Sequence, residues 1–420
     1  MKKERMGVIL FKNEVYKKVL VFDGAMGTQL IQNGLKENEC PDLWSVTRPE
    51  VIAKIHRDYF EAGSDCVETN TFGANREKLK KYGLENEVEK INKAAILLAK
   101  DVAKEYGGYV GLSVGPTGRL MRPSGDLDFD EAESVFYEQI LAGIEAGADF
   151  ISIETMSDIK EAKAAFLAYK RAKENANKDV ACLVSLTFEE NKRLLMGTPP
   201  EVAAYFFSFI GADLVGANCS GGAKQLLDVI KSMNGFSFVP LSTKPNAGLP
   251  KMIDGKVVYE DCIADFESST EEFIQSGVRL YGGCCGTNPE YIKAIAKLVK
   301  GKEALFESRA EKRFITSIYS ILDVSTKFSV YEFKLTNDFS QESIFELVGI
   351  EEDGILVDIG ENVDQEILKN FLLESQDFSK KPYIFNIKTK EQADLIDRYY
   401  FGIYGTVSSL CGSSGIKVEI

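Results

Sequence analysis

The pattern of apolar and polar positions repeats along the first 300 residues. Eight short apolar stretches rich in β-branched residues alternate with longer stretches in which apolar residues recur at helical spacing. Strict alternation of strand and helix is typical of a parallel sheet covered by helices. The predicted strands are VLVFDG (19–24), CVETN (66–70), YVGLSVG (109–115), FISIET (150–155), ACLVSLTF (181–188), LVGANCS (214–220), FVPLSTKP (238–245) and VRLYGGCC (278–285).

Glycine marks the step from a predicted helix to the next strand, as in EAGSD (61–65) and EAGAD (145–149). A glycine just past a helix end adopts the left-handed conformation at little cost. The predicted helices include 50–62, 130–146, 158–173, 222–232 and 289–299. Eight such units in about 290 residues predict a (β/α)8 TIM barrel over 10–300. The alternative is an open doubly wound sheet, but DGAMGT after the first strand lacks the GxGxxG pattern of that fold.

The remaining residues predict a smaller unit. The charged segment 301–312 predicts a linker, and 313–420 a small C-terminal α/β domain of unknown role, too short for a second full barrel. Its predicted strands are GILVDIG (354–360) and KPYIFNI (381–387), and its predicted helices are DQEILKNFLLES (364–375) and KEQADLIDRYY (390–400).

The net charge and the hydropathy of the chain argue against nucleic acid and membranes as partners. The net charge of −14 without a strong basic run after residue 5 argues against nucleic acid. Apolar runs are too short to span a membrane, so no membrane association is expected. The N-terminus is basic but lacks a long apolar stretch and a cleavage site, so we predict no signal peptide and a cytoplasmic location. Thiols stay reduced in that compartment.

Cysteines at the predicted strand ends suggest a metal site. Carboxyl ends of barrel strands converge at one mouth, which would bring Cys219 close to Cys284 and Cys285. Three thiolates suit zinc and leave one tetrahedral position open, where a substrate thiol would be held as thiolate. The alternative is that the three are buried cysteines acting as small apolar residues. The other five cysteines are predicted to be ordinary: Cys40, Cys66, Cys182, Cys262 and Cys411.

Carboxylates and amides follow other predicted strands. Asp23 and Glu154 at the same mouth could hold an ammonium group through charge-assisted hydrogen bonds. Each could instead be a helix N-cap or part of a loop salt bridge, and Glu68 and Asn70 have the same ambiguity. Asn246 in KPNAG could be a turn residue or a weak oxygen ligand to zinc when no thiol is bound.

The single histidine excludes several kinds of chemistry. His56 falls inside a predicted helix, away from any strand end, and is predicted to be structural or exposed. A histidine metal triad, a Ser-His-Asp triad and an HExxH site therefore cannot be built from this sequence.

The motifs together resemble the homocysteine S-methyltransferase family over roughly residues 10–300. The likeness is greatest to the N-terminal homocysteine-binding module of cobalamin-dependent methionine synthases. The motifs are VFDGAMGTQL, ETNTFGAN, SVGPTG, IETMSD, TFEE, LLMGT, GANCS, KPNAG and GGCCGTNPEYI.

The resemblance implies a barrel with one zinc ion per chain. Cys219, Cys284 and Cys285 match the family's zinc ligands. Asp23 and Gly24 match its first substrate-binding step, and Glu154 matches the residue that holds the homocysteine amino group. Asn246 matches the position that can occupy zinc when substrate is absent, and Asn70 is a further predicted substrate contact.

The implied reaction is methyl transfer to homocysteine, giving methionine. The resemblance favours methylcobalamin carried by a separate corrinoid protein as the donor. One alternative is a self-contained enzyme using S-methylmethionine or betaine, whose cationic donors need an aromatic or acidic pocket; Trp44 is the only tryptophan. A second alternative is a non-catalytic zinc-binding partner subunit. A different thiol or selenol acceptor also stays open, as does the oligomeric state.

The chain departs from the cobalamin-dependent enzymes after residue 300. It has no DxHxxG motif, so it cannot hold cobalamin in their manner. Residues 313–420 are either distantly similar to part of a pterin-binding barrel or an unrelated docking domain.

Overall fold

The computed structural model describes residues 11–248, 263–308 and 310–419, together with the backbone of 250–253 and 256–259. Eight parallel strands form one sheet in the order β1-β10-β7-β6-β5-β4-β3-β2, which confirms the predicted TIM barrel. These strands are β1 (Leu20–Val21), β2 (Cys66–Glu68), β3 (Tyr109–Val114), β4 (Phe150–Met156), β5 (Ala181–Leu186), β6 (Leu214–Asn218), β7 (Leu241–Lys244) and β10 (Val278–Tyr281). Between β7 and β10 an antiparallel hairpin is formed by β8 (Pro250–Ile253) and β9 (Lys256–Tyr259).

The barrel closes between β1 and β2 through backbone and side-chain hydrogen bonds. The Asp65 backbone N–H donates to the carbonyl of Val21 at 2.7 Å, and the Asp65 carboxylate accepts the Val21 N–H at 2.9 Å. Further along, the Glu68 backbone N–H donates to the Asp23 carboxylate at 2.9 Å. Asp23 therefore helps to join the first two strands at the mouth, a role that sequence reasoning did not assign to it.

Helices follow the strands as the alternating pattern predicts. The helix Pro49–Ala62 begins on proline, whose missing N–H is harmless in a first turn, and ends at Gly63 with φ 114°. A Cβ at Gly63 would also lie 2.6 Å from Cβ of Ala296. The α-helices around the barrel are Met26–Gln32, Trp44–Thr47, Pro49–Ala62, Arg76–Leu79, Val88–Tyr106, Phe129–Ala146, Ile159–Ala176, Pro200–Phe209, Ala223–Asn234, Ile263–Gln275 and Pro289–Val299.

The barrel interior is packed rather than hollow. Alternate strand residues such as Leu20, Leu183 and Leu214 point inward and are fully buried. Phe11, in the helical turn before β1, stacks on Phe150 with ring centroids 4.6 Å apart. This apolar filling leaves the carboxyl ends of the strands as the place for polar chemistry.

The C-terminal part forms a second parallel sheet. A hairpin of β11 (Phe314–Thr316) and β12 (Ile321–Asp323) precedes five strands in the sequential order β13 to β17. These are β13 (Val330–Leu335), β14 (Gly354–Ile359), β15 (Tyr383–Asn386), β16 (Tyr404–Thr406) and β17 (Gly415–Lys417). Its helices are the 3-10 segment Gln341–Leu347 and the α-helices Gln365–Phe378 and Lys390–Tyr399. Sequence reasoning found β14, β15 and both α-helices, and missed β13 and the three-residue strands β11, β12, β16 and β17.

The second sheet packs on the outside of the barrel. Lys160 forms an ion pair with Asp377 at 2.7 Å, and Arg398 contacts Asp130 at 2.6 Å. The buried Lys163 ammonium donates to two backbone carbonyls of the C-terminal part. The predicted boundaries of the two domains and of the linker stay predictions. Among the described residues, every helix is too short or too polar to span a membrane.

Candidate functional site

Three cysteine sulfurs meet at the carboxyl ends of the strands. Cys219 directly follows β6, and Cys284 and Cys285 lie in the loop after β10. The Cys219 sulfur is 3.0 Å from that of Cys284 and 3.4 Å from that of Cys285, and all three lie within 4.8 Å of one another. Among the described residues this is the one cluster whose geometry would suit a metal ion.

Backbone hydrogen bonds to the end of β7 set the spacing of the sulfurs. The Cys219 N–H donates to the carbonyl of Lys244 at 3.2 Å, and the Cys284 N–H donates to that of Pro245 at 2.8 Å. Cys219 has φ 63°, which lies in the left-handed region and is costly for a residue with a side chain. The end of β7 therefore fixes the positions of the two cysteine loops relative to each other.

The cluster fits a soft divalent metal. Tetrahedral zinc with sulfurs about 2.3 Å away would hold them roughly 3.8 Å apart. The Cys219 sulfur, 3.0 Å from that of Cys284 and 3.4 Å from that of Cys285, would therefore move apart from them by several tenths of an ångström on binding the ion. Hydrogen bonds to Cys284 and Cys285, and then burial, raise the pKa of the Cys219 thiol well above its ordinary value. Binding of a metal at this cluster would therefore have to displace thiol protons.

Asn218 braces the cluster from β6. Its side chain donates to Oγ1 of Thr155 at 2.7 Å and lies 3.8 Å from the Cys284 sulfur. Its carbonyl oxygen accepts the Thr155 N–H at 3.0 Å and the Ser185 hydroxyl at 2.7 Å. Thr155 has φ 58°, an unusual backbone conformation for a β-branched residue, and these bonds hold it there.

Asn246 lies beside the cysteines, and its roles as a zinc ligand or a substrate contact stay predictions. Its amide nitrogen donates to the carbonyl of Cys219 at 2.7 Å. Its Oδ1 is buried and has no hydrogen-bond partner among the described residues. The next residue, Ala247, donates its N–H to the carbonyl of Cys285 at 2.9 Å. Asn246 thus joins the two cysteine loops and keeps a free acceptor atom.

A buried acidic group occupies the same mouth. Asp23, Glu68 and Glu154 surround the ammonium of Lys244, whose Nζ lies 2.6 Å from Glu154 and also hydrogen-bonds Glu68. Burial disfavours the charged lysine, but attraction to Glu154 and Glu68 outweighs it and raises the pKa of Lys244. Ser113 donates its hydroxyl to the other Glu154 oxygen at 2.6 Å.

The carboxyl groups interact strongly with one another. Burial, followed by repulsion from Glu154, raises the pKa of Glu68 to about 7. Burial and then repulsion from Glu68 raise the pKa of Asp23 well above its usual range. The group therefore holds less negative charge at neutral pH than three free carboxylates would.

Gly24 brings the first loop against the cysteine loop. A Cβ at Gly24 would lie 2.8 Å from Oγ1 of Thr287 and 3.0 Å from the Tyr59 ring. The Gly283 N–H donates to the carbonyl of Asp23 at 3.0 Å, so the two loops are also hydrogen-bonded. Glycine at position 24 is required by this close approach.

Asn70 has contacts of a structural kind. Its amide donates to the carbonyl of Pro41 at 2.7 Å, and its backbone carbonyl accepts the Ser45 hydroxyl at 3.4 Å. These bonds join the loops after β1 and β2, and a contact of Asn70 with substrate stays a prediction. Trp44 is buried, with the Arg48 guanidinium 4.1 Å from its ring centroid.

The remaining candidates lie outside the cluster. His56 is fully buried in its helix, and burial lowers its pKa to about 4. Cys40, Cys66 and Cys182 are buried and Cys411 is exposed, while Cys262 lies outside the described residues. Sequence reasoning missed Lys244. Its only signal was a lysine at the end of a buried strand, in the same KPNAG motif that drew attention to Asn246.

Comparison with known proteins places this mouth in context. A family model described as homocysteine S-methyltransferase matches residues 20–299. The homocysteine methyltransferase MmuM of Escherichia coli, in its metallated form, superposes with a TM-score of 0.55 at 25% sequence identity, covering 67% of this chain and 96% of that one.

Two methionine synthases are similar over a longer stretch of this chain. That of Mycobacterium tuberculosis is 31% identical over 326 residues, which is 75% of this chain and 27% of the relative. That of Mycobacterium leprae is 30% identical over 354 residues, covering 80% and 29% respectively. The chain thus spans under a third of the length of these relatives.

Proposed function

Because the chain belongs to the homocysteine S-methyltransferase family, we propose that it transfers a methyl group to the homocysteine thiol and so forms methionine. The observation that carries the proposal is the cluster of three cysteine sulfurs beside a buried acidic group at the mouth of the barrel. The sulfur cluster suits the thiol of an amino-acid substrate, and the acidic group suits its amino group. The proposal includes a cytoplasmic location, where thiols stay reduced.

We propose that Cys219, Cys284 and Cys285 hold one zinc ion. A zinc ion bound there would lower the pKa of a coordinated thiol and favour its thiolate, which is the nucleophile in methyl transfer. The bonds from the end of β7 to Cys219 and Cys284 keep the three side chains in place.

The acidic group is proposed to bind the amino end of the substrate. Glu154 and Glu68 already enclose the ammonium of Lys244, and a substrate ammonium bound at the edge of this group would gain charge-assisted hydrogen bonds to its carboxylates. Binding homocysteine at both its thiol and its amino group fixes the orientation of the sulfur. Methyl transfer then has a lower entropic barrier, because the reacting atom is already in place. No general base is needed for a thiol that is already ionised.

The methyl donor is proposed to be methylcobalamin on a separate corrinoid protein. This rests on the motif resemblance to the homocysteine-binding module of cobalamin-dependent methionine synthases. The similarity to MmuM, whose chain is covered to 96%, favours a second candidate, a self-contained enzyme with a small donor such as S-methylmethionine or betaine.

A donor assay tests these candidates. The zinc-loaded protein is incubated with homocysteine and, separately, with methylcobalamin, S-methylmethionine or betaine, and methionine is measured. We expect methionine to form with methylcobalamin and not with S-methylmethionine or betaine. Turnover only with a sulfonium or ammonium donor would establish the second candidate. Zinc and homocysteine binding without turnover on any donor would favour a non-catalytic partner subunit.

A further inference from the structure

Three large apolar side chains of the C-terminal part are exposed next to one another. Phe345 is 65% exposed, Val348 52% and Phe378 46%. The rings of Phe345 and Phe378 meet edge to face with their centroids 6.0 Å apart, and the Phe345 carbonyl accepts the Val348 N–H at 3.2 Å. Apolar side chains are often exposed singly, but a contiguous group with a polar rim is typical of a contact with another protein.

The geometry of the 3-10 segment Gln341–Leu347 decides which of its side chains face outward. Such a helix has three residues per turn, so residues three apart share a face. Ile344 and Leu347 are buried and anchor the segment. Phe345 and Val348, each one position further along, form the next row and lie at the surface. The packing of the first pair therefore exposes the second.

Acidic side chains border these apolar ones. Glu342 lies one 3-10 turn before Phe345 in the same row, and Glu374 lies one helical turn before Phe378. The Glu374 carboxylate accepts a hydrogen bond from the side-chain amide of Gln341 at 3.2 Å, which joins the two segments. We call the following residues the acidic-apolar patch: Glu342, Phe345, Val348, Glu374 and Phe378.

The chain around the patch has no compensating positive charge. Residues 335–368 include no lysine or arginine. Glu342 and Glu346 form no ion pair with any residue that the structure describes. The same stretch has ten acidic residues: Asp338, Glu342, Glu346, Glu351, Glu352, Asp353, Asp358, Glu361, Asp364 and Glu366.

One end of the patch lies close to the barrel. Asp377, the residue before Phe378, forms an ion pair at 2.7 Å with Lys160 in the first turn of the helix Ile159–Ala176. That helix follows β4, and its first turn lies on the side of the barrel at which the strands end. A protein bound at the patch would therefore lie on the same side as the cysteine cluster.

The charge of the patch selects the class of occupant. A two-fold contact between two copies of this chain would bring the same carboxylates face to face, which is unfavourable. The phosphates of nucleic acids and of anionic lipids would be repelled in the same way. Lysine and arginine side chains beside an apolar face would match both the rim and the centre of the patch.

We propose that the acidic-apolar patch binds a basic amphipathic helix of a partner protein. Apolar side chains on one face of a helix are about 5–6 Å apart, which matches the spacing of the Phe345 and Phe378 rings. The apolar face of that helix contacts these rings and Val348, and its flanking lysines or arginines pair with Glu342 and Glu374. The inference does not rest on the proposed reaction, because these residues lie outside the mouth of the barrel.

Peptide binding tests the inference. The probe is a synthetic amphipathic helix of about 18 residues made of leucine and lysine, and a second peptide has glutamate in place of lysine. Anisotropy of each fluorescently labelled peptide is measured against the full-length protein. We expect only the lysine peptide to bind. In Phe345→Ser, and separately in Val348→Ser, its Kd should weaken about fivefold or more, because one of three apolar contacts is lost.

Leu305→Ser is the matched apolar control. Leu305 is 71% exposed and lies between Glu303 and Glu307, so it is also an apolar side chain in acidic surroundings. Its replacement should leave the Kd of the lysine peptide unchanged. Circular dichroism of the three serine variants checks that each is folded, which is expected because the replaced side chains are exposed.

A pair of charge variants tests the acidic rim. Glu342→Gln combined with Glu346→Gln should weaken the Kd about threefold or more and reduce its dependence on salt. Glu267→Gln combined with Glu271→Gln removes the same net charge from exposed positions on the helix Ile263–Gln275. This second pair should change neither quantity.

Three results would overturn the inference. The first is an equal Kd of the lysine peptide for Phe345→Ser, Val348→Ser and Leu305→Ser. The second is equally tight binding of the glutamate peptide. The third is self-association of the unaltered protein in sedimentation equilibrium that Phe345→Ser abolishes, since the occupant would then be a second copy of the chain.

Discussion

At the scale of single residues, the mouth of the barrel contains residues whose backbone has an uncommon conformation. Cys219 and Thr155 both have positive φ, each at a cost of about 1–3 kcal/mol for a residue other than glycine. Asn218 lies between them and bonds to Thr155 with both ends of its amide. Strain of this kind persists only where surrounding hydrogen bonds maintain it. Here the two strained positions place the Cys219 thiol, after β6, and the neighbouring Glu154 carboxylate, in β4, at the same mouth.

Replacing Cys219 tests the metal cluster. In Cys219→Ala we expect loss of stoichiometric zinc, because only two protein ligands, Cys284 and Cys285, would remain for an ion that normally needs at least three. Zinc content of the purified protein, measured by atomic emission, checks this. Cys182→Ala is the control, since Cys182 is buried in β5 and outside the cluster. Full zinc content in Cys219→Ala would show that Cys219 is not a zinc ligand.

Replacing Glu154 tests the acidic group. Glu154→Gln keeps the size of the side chain but removes its charge, so homocysteine affinity should fall about tenfold or more while zinc is retained. Calorimetric titration with homocysteine measures the effect. Glu161→Gln is a suitable control because Glu161 is a buried carboxylate whose bonds go to Thr117. Equal affinities in all three proteins would mean that the amino group is bound elsewhere.

The residue types at the mouth could be predicted, but their partners could not. Cys219, Cys284, Cys285, Asp23 and Glu154 were all chosen from strand-end positions and motif resemblance, and they do lie around one mouth. Lys244 was not chosen because a single lysine after an apolar stretch carries no pattern of its own. Its pairing with Glu68 and Glu154 joins residues 176 and 90 positions apart in the chain.

At the scale of elements, a glycine sets how closely β6 and β7, the strands that end beside the cysteine cluster, approach each other. Gly216 of β6 lies opposite Ser242 of β7 in the sheet register. A Cβ at Gly216 would lie 2.3 Å from the Ser242 carbonyl oxygen, which belongs to the backbone and cannot move aside easily. The absence of a side chain at residue 216 therefore lets β6 and β7 approach each other this closely.

Gly216→Ala should destabilise the barrel by about 1–3 kcal/mol through this overpacking. Urea unfolding followed by circular dichroism gives the change in the free energy of unfolding. Gly235→Ala is the matched control, since Gly235 has φ −72° and its added Cβ would meet no atom within 4 Å. That variant should be as stable as the unaltered protein or more so by about 0.4–1 kcal/mol. Equal stability of both variants would contradict the argument.

At the scale of the whole molecule, ionic and backbone contacts attach the second sheet to the barrel. Lys163, on the helix Ile159–Ala176, donates to the carbonyls of Asp397 and Tyr400 at 2.7 Å each. These carbonyls lie at the C-terminal end of the helix Lys390–Tyr399, where the helix dipole favours a positive charge. Burial nevertheless dominates and lowers the pKa of Lys163 to about 7.

This lysine should make stability depend on pH. Its pKa in the folded chain lies below the unfolded value, so between pH 7 and about 10 the unfolded chain binds more protons. The free energy of unfolding should therefore rise with pH, by at most about 1.4 kcal/mol per unit. Urea unfolding at pH 7, 8 and 9 should show that Lys163→Met removes this rise and that Lys104→Met, at an exposed site, keeps it. Parallel slopes in all three proteins would contradict the assignment.

The sequence by itself determined the barrel, the order of its strands and the residues that end them. Periodicity and glycine caps are local, so they can be read without coordinates, as the eight strands and their following helices demonstrate. The family resemblance added roles for the strand-end residues. The strands β11, β12, β16 and β17 were missed because three residues carry too little pattern. The six-residue strand β13 was missed as well, although its length equals that of β14.

Only the tertiary structure decided which of these residues share a contact. It placed an ammonium from β7 between carboxylates of β2 and β4, turned Asp23 into a link between β1 and β2, and seated the second sheet on barrel helices through Lys163. Such pairings depend on distances across the closed sheet, and those distances arise from packing of the whole chain rather than from any local stretch of it.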